Sequence, residues 1–233
     1  MSDPLRLIVK LVCTFLLVGG ALAMIMPVGR GSREAAYRST CKNQLKQIAL
    51  ALWNYQDEYH AFPPAYTVNA EGKPLHSWRT LLLPYIEQKK LYDSIDLTKP
   101  WDDPVNAHAR EVKIPVYHCP SSNNPVNFTT YMAIITPTSF IQPQHSRSIN
   151  AANNAPEKLI VIEVSSNNAT HWMSPVDADE TLFYSLEKIK QMPHSGGSYG
   201  AHIDGSVSFI AQDISLAERN EMINYSTPET SKE

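Results

Sequence analysis

The chain has 233 residues and a net charge of −3, with 18% charged residues and 17 prolines against 9 glycines. That length suits one domain plus an accessory segment, and the proline excess suits a chain with many fixed turns. With no basic block anywhere, a nucleic-acid surface is excluded.

At the N-terminus, Arg6 and Lys10 accompany an apolar run from Leu5 to Met26, long enough to cross a bilayer at about 20 residues. Ala21-Leu22-Ala23 has the small-x-small shape of a signal-peptidase site, so a cleaved secretory signal is one reading. The apolar character continues through Met24-Ile25-Met26, which favours a retained transmembrane span. Arg30, Arg33, Arg38, Lys42 and Lys46 lie just beyond the run, and by the positive-inside rule they would hold the large domain in the cytoplasm.

Ser32 to His60 reads as a long amphipathic helix. Cys41, Leu45, Ile48, Leu52, Tyr55 and Tyr59 recur at steps of four and three, one stripe down a helix. Ser32 suits an N-cap, Glu34 complements the first-turn dipole, and Phe62-Pro63-Pro64 stops the helix. Beyond it, Tyr66-Thr67-Val68 predicts a short strand, and His76 to Ile86, Glu87 to Tyr92 and Trp101 to Ala109 predict short helical pieces broken by prolines.

The second half changes period. Val116-Tyr117-His118, Thr130 to Ile135 and Leu159 to Val164 predict strands, the last a continuous apolar run suited to mid-sheet. Gln142 to Pro156 reads as a surface loop. Asp204-Gly205 between two short arms, Gly200 to Ile210, is a hairpin signal. Ser215-Leu216-Ala217-Glu218 is a capping box opening a helix that ends near Asn224, before a polar, disordered tail. The resulting division is an anchor over 1–27, a stalk helix over 28–60, an α+β domain over 61–214, and a short helix and tail over 215–233.

Candidate chemistry is sparse. Cys13 lies in the apolar run, leaving Cys41 and Cys119 either as a disulfide in an exported domain or as two buried thiols. His194, His202 and Asp204, with Glu163 on a neighbouring strand, are ligand types for a transition metal. The turn chemistry of Asp204-Gly205 and of Gly196-Gly197 explains those residues better, so no metal and no cofactor is expected. Neither Ser195 beside His194 nor Cys119 beside His118 makes a nucleophile–base–orienter set, and the chain carries no G-x-S-x-G elbow, P-loop or dinucleotide fingerprint. Trp53, Trp78, Trp101 and Trp172 would suit either a sugar-binding surface or the core. The three glycosylation sequons, at Asn127, Asn168 and Asn224, read as chance matches.

Several separated blocks carry a resemblance over nearly the whole chain. These are Ser32-Arg33-Glu34-Ala35-Ala36-Tyr37-Arg38-Ser39-Thr40-Cys41 through Ile48, Tyr59-His60-Ala61-Phe62-Pro63-Pro64, His76-Ser77-Trp78-Arg79 through Gln88, and Tyr117-His118-Cys119-Pro120-Ser121. The last is His194-Ser195-Gly196-Gly197 leading to Asp204-Gly205-Ser206-Val207, an H-x9-DG motif. Together they resemble domain of unknown function 1559, a family abundant in planctomycete bacteria and related to type II secretion pseudopilins. The resemblance implies an exported protein whose pilin-like N-terminal helix packs on an antiparallel sheet, which places the domain outside the cell against the charge count. The chain departs from a prepilin processing site: Leu5 stands at the Gly position and Lys10 at the Glu position. A filament partner's amine would meet a cation at Lys10.

The expected protein is therefore α+β, a long N-terminal helix on an antiparallel sheet behind one transmembrane span. It is a cell-membrane protein with an extracytoplasmic domain and a structural, non-enzymatic role. Its partners are membrane lipid and copies of itself or other pseudopilin-like proteins, through the stalk stripe and the span, and His194, Gly196, Gly197, Asp204 and Gly205 are structural. The alternative is an extracytoplasmic module binding a carbohydrate or a metal.

Overall fold

The computed structural model describes residues 3–24, 30–145, 155–185 and 192–225. The chain divides into two compact units, Met1–Ala36 and Tyr37–Glu233, with the division falling inside the second helix. Helix α1 spans Asp3–Met24 and helix α2 spans Arg30–Tyr59, starting two residues before the expected cap at Ser32. Within α1, Leu7, Val12, Phe15 and Leu17 are all exposed, Phe15 by 81%. Among the described residues, no helix is long and apolar enough to cross a membrane. The expected junction between anchor and stalk at Pro27, most of the polar loop within 142–156, and the tail beyond Tyr225 lie outside the described residues.

The strands are β1 (Tyr66–Val68), β2 (Pro74–Ser77), β3 (Phe128–Thr129), β4 (Tyr131–Ile135), β5 (Leu159–Glu163), β6 (Thr170–His171), β7 (Ala178–Asp179), β8 (Gly197–His202) and β9 (Val207–Ala211). The principal sheet has the order β7-β4-β5-β8-β9. All its pairings are antiparallel except β4 with β7, so the expected antiparallel sheet is a mixed one with a two-residue parallel edge. β5 sits at its centre, as its continuous apolar run requires.

Alternation along the strands sends side chains to two cores. Tyr131, Ala133, Val161 and Ala201 join Cys41, Leu45, Ile48 and Leu52 of α2 in the larger one. Met132, Ile134, Leu159, Ile162 and Ile210 join Phe183 and Ile223, from the short helices Glu180–Ser185 and Leu216–Ile223, in the smaller one. A register shift between Leu159 and Val161 puts Ile160 and Val161 in the same core, as one extra residue in a bulged strand does. The α2 stripe is thus consumed internally from Cys41 to Leu52, with Cys41, Leu45, Ile48 and Leu52 all at 0% exposure. It is not a free surface for assembly. At its far end Tyr59, 55% exposed, leaves the stripe for solvent.

Two local expectations fail for physical reasons. Val116-Tyr117-His118 is not a strand: Pro115 opens a 3-10 turn over Pro115–Tyr117, and the Tyr117 hydroxyl turns inward to donate to the Arg79 carbonyl at 2.8 Å. The stretch His76 to Ile86 begins as β2, and Ser77 then caps a single helical turn, Trp78–Leu81, by accepting from the Arg79 amide. The Ser215–Glu218 capping box forms as expected.

A candidate metal centre under helix α2

Helix α2 carries Arg38, Cys41 and Gln44 on successive turns of one face, and each engages the far side of the chain. Arg38 donates to the Ser195 carbonyl and lies 5.1 Å from the Phe209 ring centroid. Gln44 donates from Nε2 to the carbonyls of Pro115, at 2.6 Å, and His118, at 3.0 Å. Its Oε1 accepts from the Tyr131 hydroxyl at 2.8 Å. Those bonds lay the segment ending at Cys119 against the helix beside Cys41.

His194 arrives from the lead into β8. The backbone of His194 exchanges both hydrogen bonds with Gly197, closing a tight turn whose Gly196 has a φ of +84°. Gly196 uses its freedom at positive φ. Gly197 is needed for another reason: a Cβ there would stand 2.2 Å from the Ile210 carbonyl oxygen. Glu163 closes β5, and its side chain turns to the α2 side of the sheet.

These four residues converge. The donor atoms of Cys41, Cys119, Glu163 and His194 all lie within 4.8 Å of one another, and all four residues are buried. Glu163 Oε2 stands 3.2 Å from His194 Nε2, with both side chains fully buried. Glu163 Oε1 is buried without a hydrogen-bond partner. Burial pulls the His194 pKa down, but hydrogen bonding from Cys119 and Glu163 prevails and raises it to about 10. The Cys119 thiol is pushed far up by its hydrogen bond with Cys41, by burial and by the Glu163 charge, against the pull of His194. Tyr131 is likewise raised by burial, then by Glu163 and the two thiols.

A nucleophile needs a thiolate that a substrate can reach. Cys119 is 1% exposed and strongly disposed to stay protonated, so the Cys119–His194–Glu163 sequence is no catalytic triad despite its order. Cys41 and Cys119 come together as expected for either a disulfide or a thiol pair, and both stand as free thiols here.

The remaining expected residues separate from this cluster. His202 donates from Nδ1 to the Glu157 carbonyl at 2.6 Å, and its Nε2 meets Ser208 Oγ at 2.7 Å. Asp204 accepts from the Ser206 amide at 2.8 Å, and Gly205 takes a φ of +81°, as an Asp-Gly hairpin turn requires. Its turn is held under α2 by Trp53, whose indole N–H donates to the Ile203 carbonyl at 2.7 Å. Both ends of the H-x9-DG segment therefore dock on one helix, His194 near Cys41 and Asp204-Gly205 near Trp53. Of the tryptophans, Trp78 and Trp172 belong to the core at 0–1% exposure, and Trp101 packs at a tilt against His171 with ring centroids 5.0 Å apart.

Sequence reasoning paired Glu163 with His194 but also admitted His202 and Asp204, and it treated the cysteines separately. The signal that joins them is Cys41 on the apolar stripe, which faces the sheet end where Glu163 finishes β5.

In comparison with known proteins, a family model described as "Protein of unknown function (DUF1559)" matches residues 30–174. No curated protein and no solved structure matches the chain.

Proposed function

The chain belongs to the DUF1559 family, and from that premise we propose that it is a pseudopilin-like structural protein of the cell envelope, without catalysis. Helix α1 seats in the membrane, α2 carries the chain out of it, and the α+β domain stands on the extracytoplasmic side. The observation that carries the reading is the contrast between the two helices. α2 spends its apolar stripe on the core, whereas Leu7, Ile8, Leu11, Phe15, Leu16 and Leu17 of α1 are exposed. Bare apolar side chains on every side of a helix call for lipid or a second helix, and the apolar sequence runs on to Met26. With the stripe buried, self-association would fall to α1.

Fractionation of native cells, with mass spectrometry of the mature N-terminus and protease shaving of intact cells, tests this. The expected result is an intact N-terminus in carbonate-washed membranes and a domain digested from outside. A soluble chain beginning near Met24, or a domain protected in intact cells, would overturn it.

A second reading, an exported binding module, draws on a groove of about 660 Å³ beside His194. Amides and hydroxyls of Ser121, Asn123, Asn124, Asn167 and Gln212 line it. Such a neutral polar lining suits a polyhydroxyl ligand rather than an ion. A thermal shift on titration with neutral sugars is its test.

A further inference from the structure

We propose that Cys41, Cys119, Glu163 and His194 bind a structural zinc ion that staples helix α2 to the sheet. The proposal concerns the interior of the domain and is independent of where the chain resides.

The donor set comes first. Two sulfurs, an imidazole and a carboxylate are the ligand types of tetrahedral zinc. Bond lengths of about 2.0–2.3 Å set tetrahedral ligand atoms about 3.3–3.8 Å apart. The four donor atoms already lie within 4.8 Å of one another, so small side-chain rotations would close the shell.

Burial is the second argument. The residues are at 0–2% exposure, which leaves no open coordination position and makes the site structural rather than catalytic. Glu163 Oε1, amid the two thiols and the imidazole, is a buried acceptor without a hydrogen-bond partner, which is costly in a protein interior. A divalent cation would give that oxygen its missing partner and hold the coordinating sulfurs as thiolates.

Support around the ligands is the third. Gln44 holds the Cys119 segment, Arg38 holds the turn that carries His194, and the Gly197 bonds fix the His194 backbone. Outer partners of this kind orient metal ligands before the ion arrives. The ligands derive from α2, the segment before β3, the central strand and the lead into β8. One ion therefore links four stretches remote in sequence, and its binding free energy becomes folding free energy.

The test uses untagged full-length protein in detergent, purified with zinc and then passed through a desalting column. Elemental analysis is expected to find one zinc per chain. Replacement by Co²⁺ is expected to give the visible bands of a tetrahedral ion together with a thiolate-to-cobalt charge-transfer band. Cys119→Ser should abolish stoichiometric binding. Should that variant fail to fold, Glu163→Gln, nearly isosteric, keeps both thiolates. It should keep the charge-transfer band while weakening zinc by roughly tenfold or more, since losing a ligand costs at least as much as losing an outer partner. Removal of zinc by chelator should lower the Tm, and zinc alone should restore it. A Cys41–Cys119 disulfide in non-reducing peptide maps would overturn the proposal. Cobalt binding without a thiolate band, or zinc whose removal leaves the Tm unchanged, would also overturn it.

Discussion

The Arg79 guanidinium donates to Asp177 Oδ1 at 2.6 Å with both side chains at 0% exposure. Arg79 also donates to the carbonyls of Trp172, Tyr131, Ser174 and Val176, so its planar fork is fully used. Asp177 in turn accepts from the Trp78 indole and the Ala133 amide. One ion pair thereby joins the single helical turn after β2, the strand β4 and the segment leading to β7. Removing one partner leaves a buried charge without its counterion, which costs about 3–5 kcal/mol. Arg79→Met is expected to lose that much in urea denaturation. Arg79→Lys should recover little, because an ammonium cannot reach carbonyls spread in a plane. A variant with about the parent's stability would refute the clamp.

Two histidines are expected to make the domain sensitive to mild acid. His171 Nδ1 accepts from the Met173 amide at 3.1 Å, so Nε2 carries the proton and donates to the Arg110 carbonyl at 3.0 Å. The neutral ring satisfies both bonds, and a second proton would break the first. Burial lowers the pKa of His171 and of His76, outweighing the backbone carbonyls that favour the charged form. A histidine with a lowered folded pKa binds fewer protons folded than unfolded. Its contribution is complete above the unfolded value of about 6.5 and declines as the pH falls from there toward the folded value. The Tm is therefore expected to fall on acidification below about 6.5, and His171→Gln should flatten part of that slope.

What the sequence disclosed and what it hid divide along physical lines. The stripe from Cys41 to Leu52, the apolar run of β5 and the Asp204-Gly205 turn are local patterns, and each formed where periodicity or turn chemistry put it. The Cys41, Cys119, Glu163 and His194 cluster is nonlocal. Nothing in the spacing shows that Gln44 draws the Cys119 segment onto the helix. Arg79 was equally silent, a lone cation in the apolar stretch Trp78 to Leu83 whose partner Asp177 is far along the chain. β7 escaped notice because two residues pairing in parallel leave no period to read.

Glycines at the two ends of the β8–β9 hairpin should respond differently to the same substitution. At Gly197 an added Cβ meets the Ile210 carbonyl at 2.2 Å and Phe209 Cζ at 2.8 Å, and the carbonyl is strand backbone that cannot step aside. At Gly205 the nearest atom is 3.9 Å away, so the strain is the positive φ alone. Gly205→Ala is expected to cost about 1–2 kcal/mol. Gly197→Ala should exceed it, because the β8–β9 pairing must open as well. The reverse order in denaturant midpoints would count against this packing.

The stalk helix gives the last prediction, since its two faces differ in burial over a few residues. Leu45 is fully buried against the sheet, whereas Leu50 is 62% exposed. Leu45→Ala should destabilise the domain by about 2–5 kcal/mol, the usual cost of an unfilled core site. Leu50→Ser should stay within about 0.5 kcal/mol. Any self-association of the full chain in detergent should survive both changes, because the stripe is buried within each copy and the apolar side chains of α1 are exposed. Cross-linking the two variants and a chain lacking Asp3–Met24 separates the cases. Oligomers that vanish with Leu50→Ser and persist without α1 would move the assembly surface from the first helix to the second.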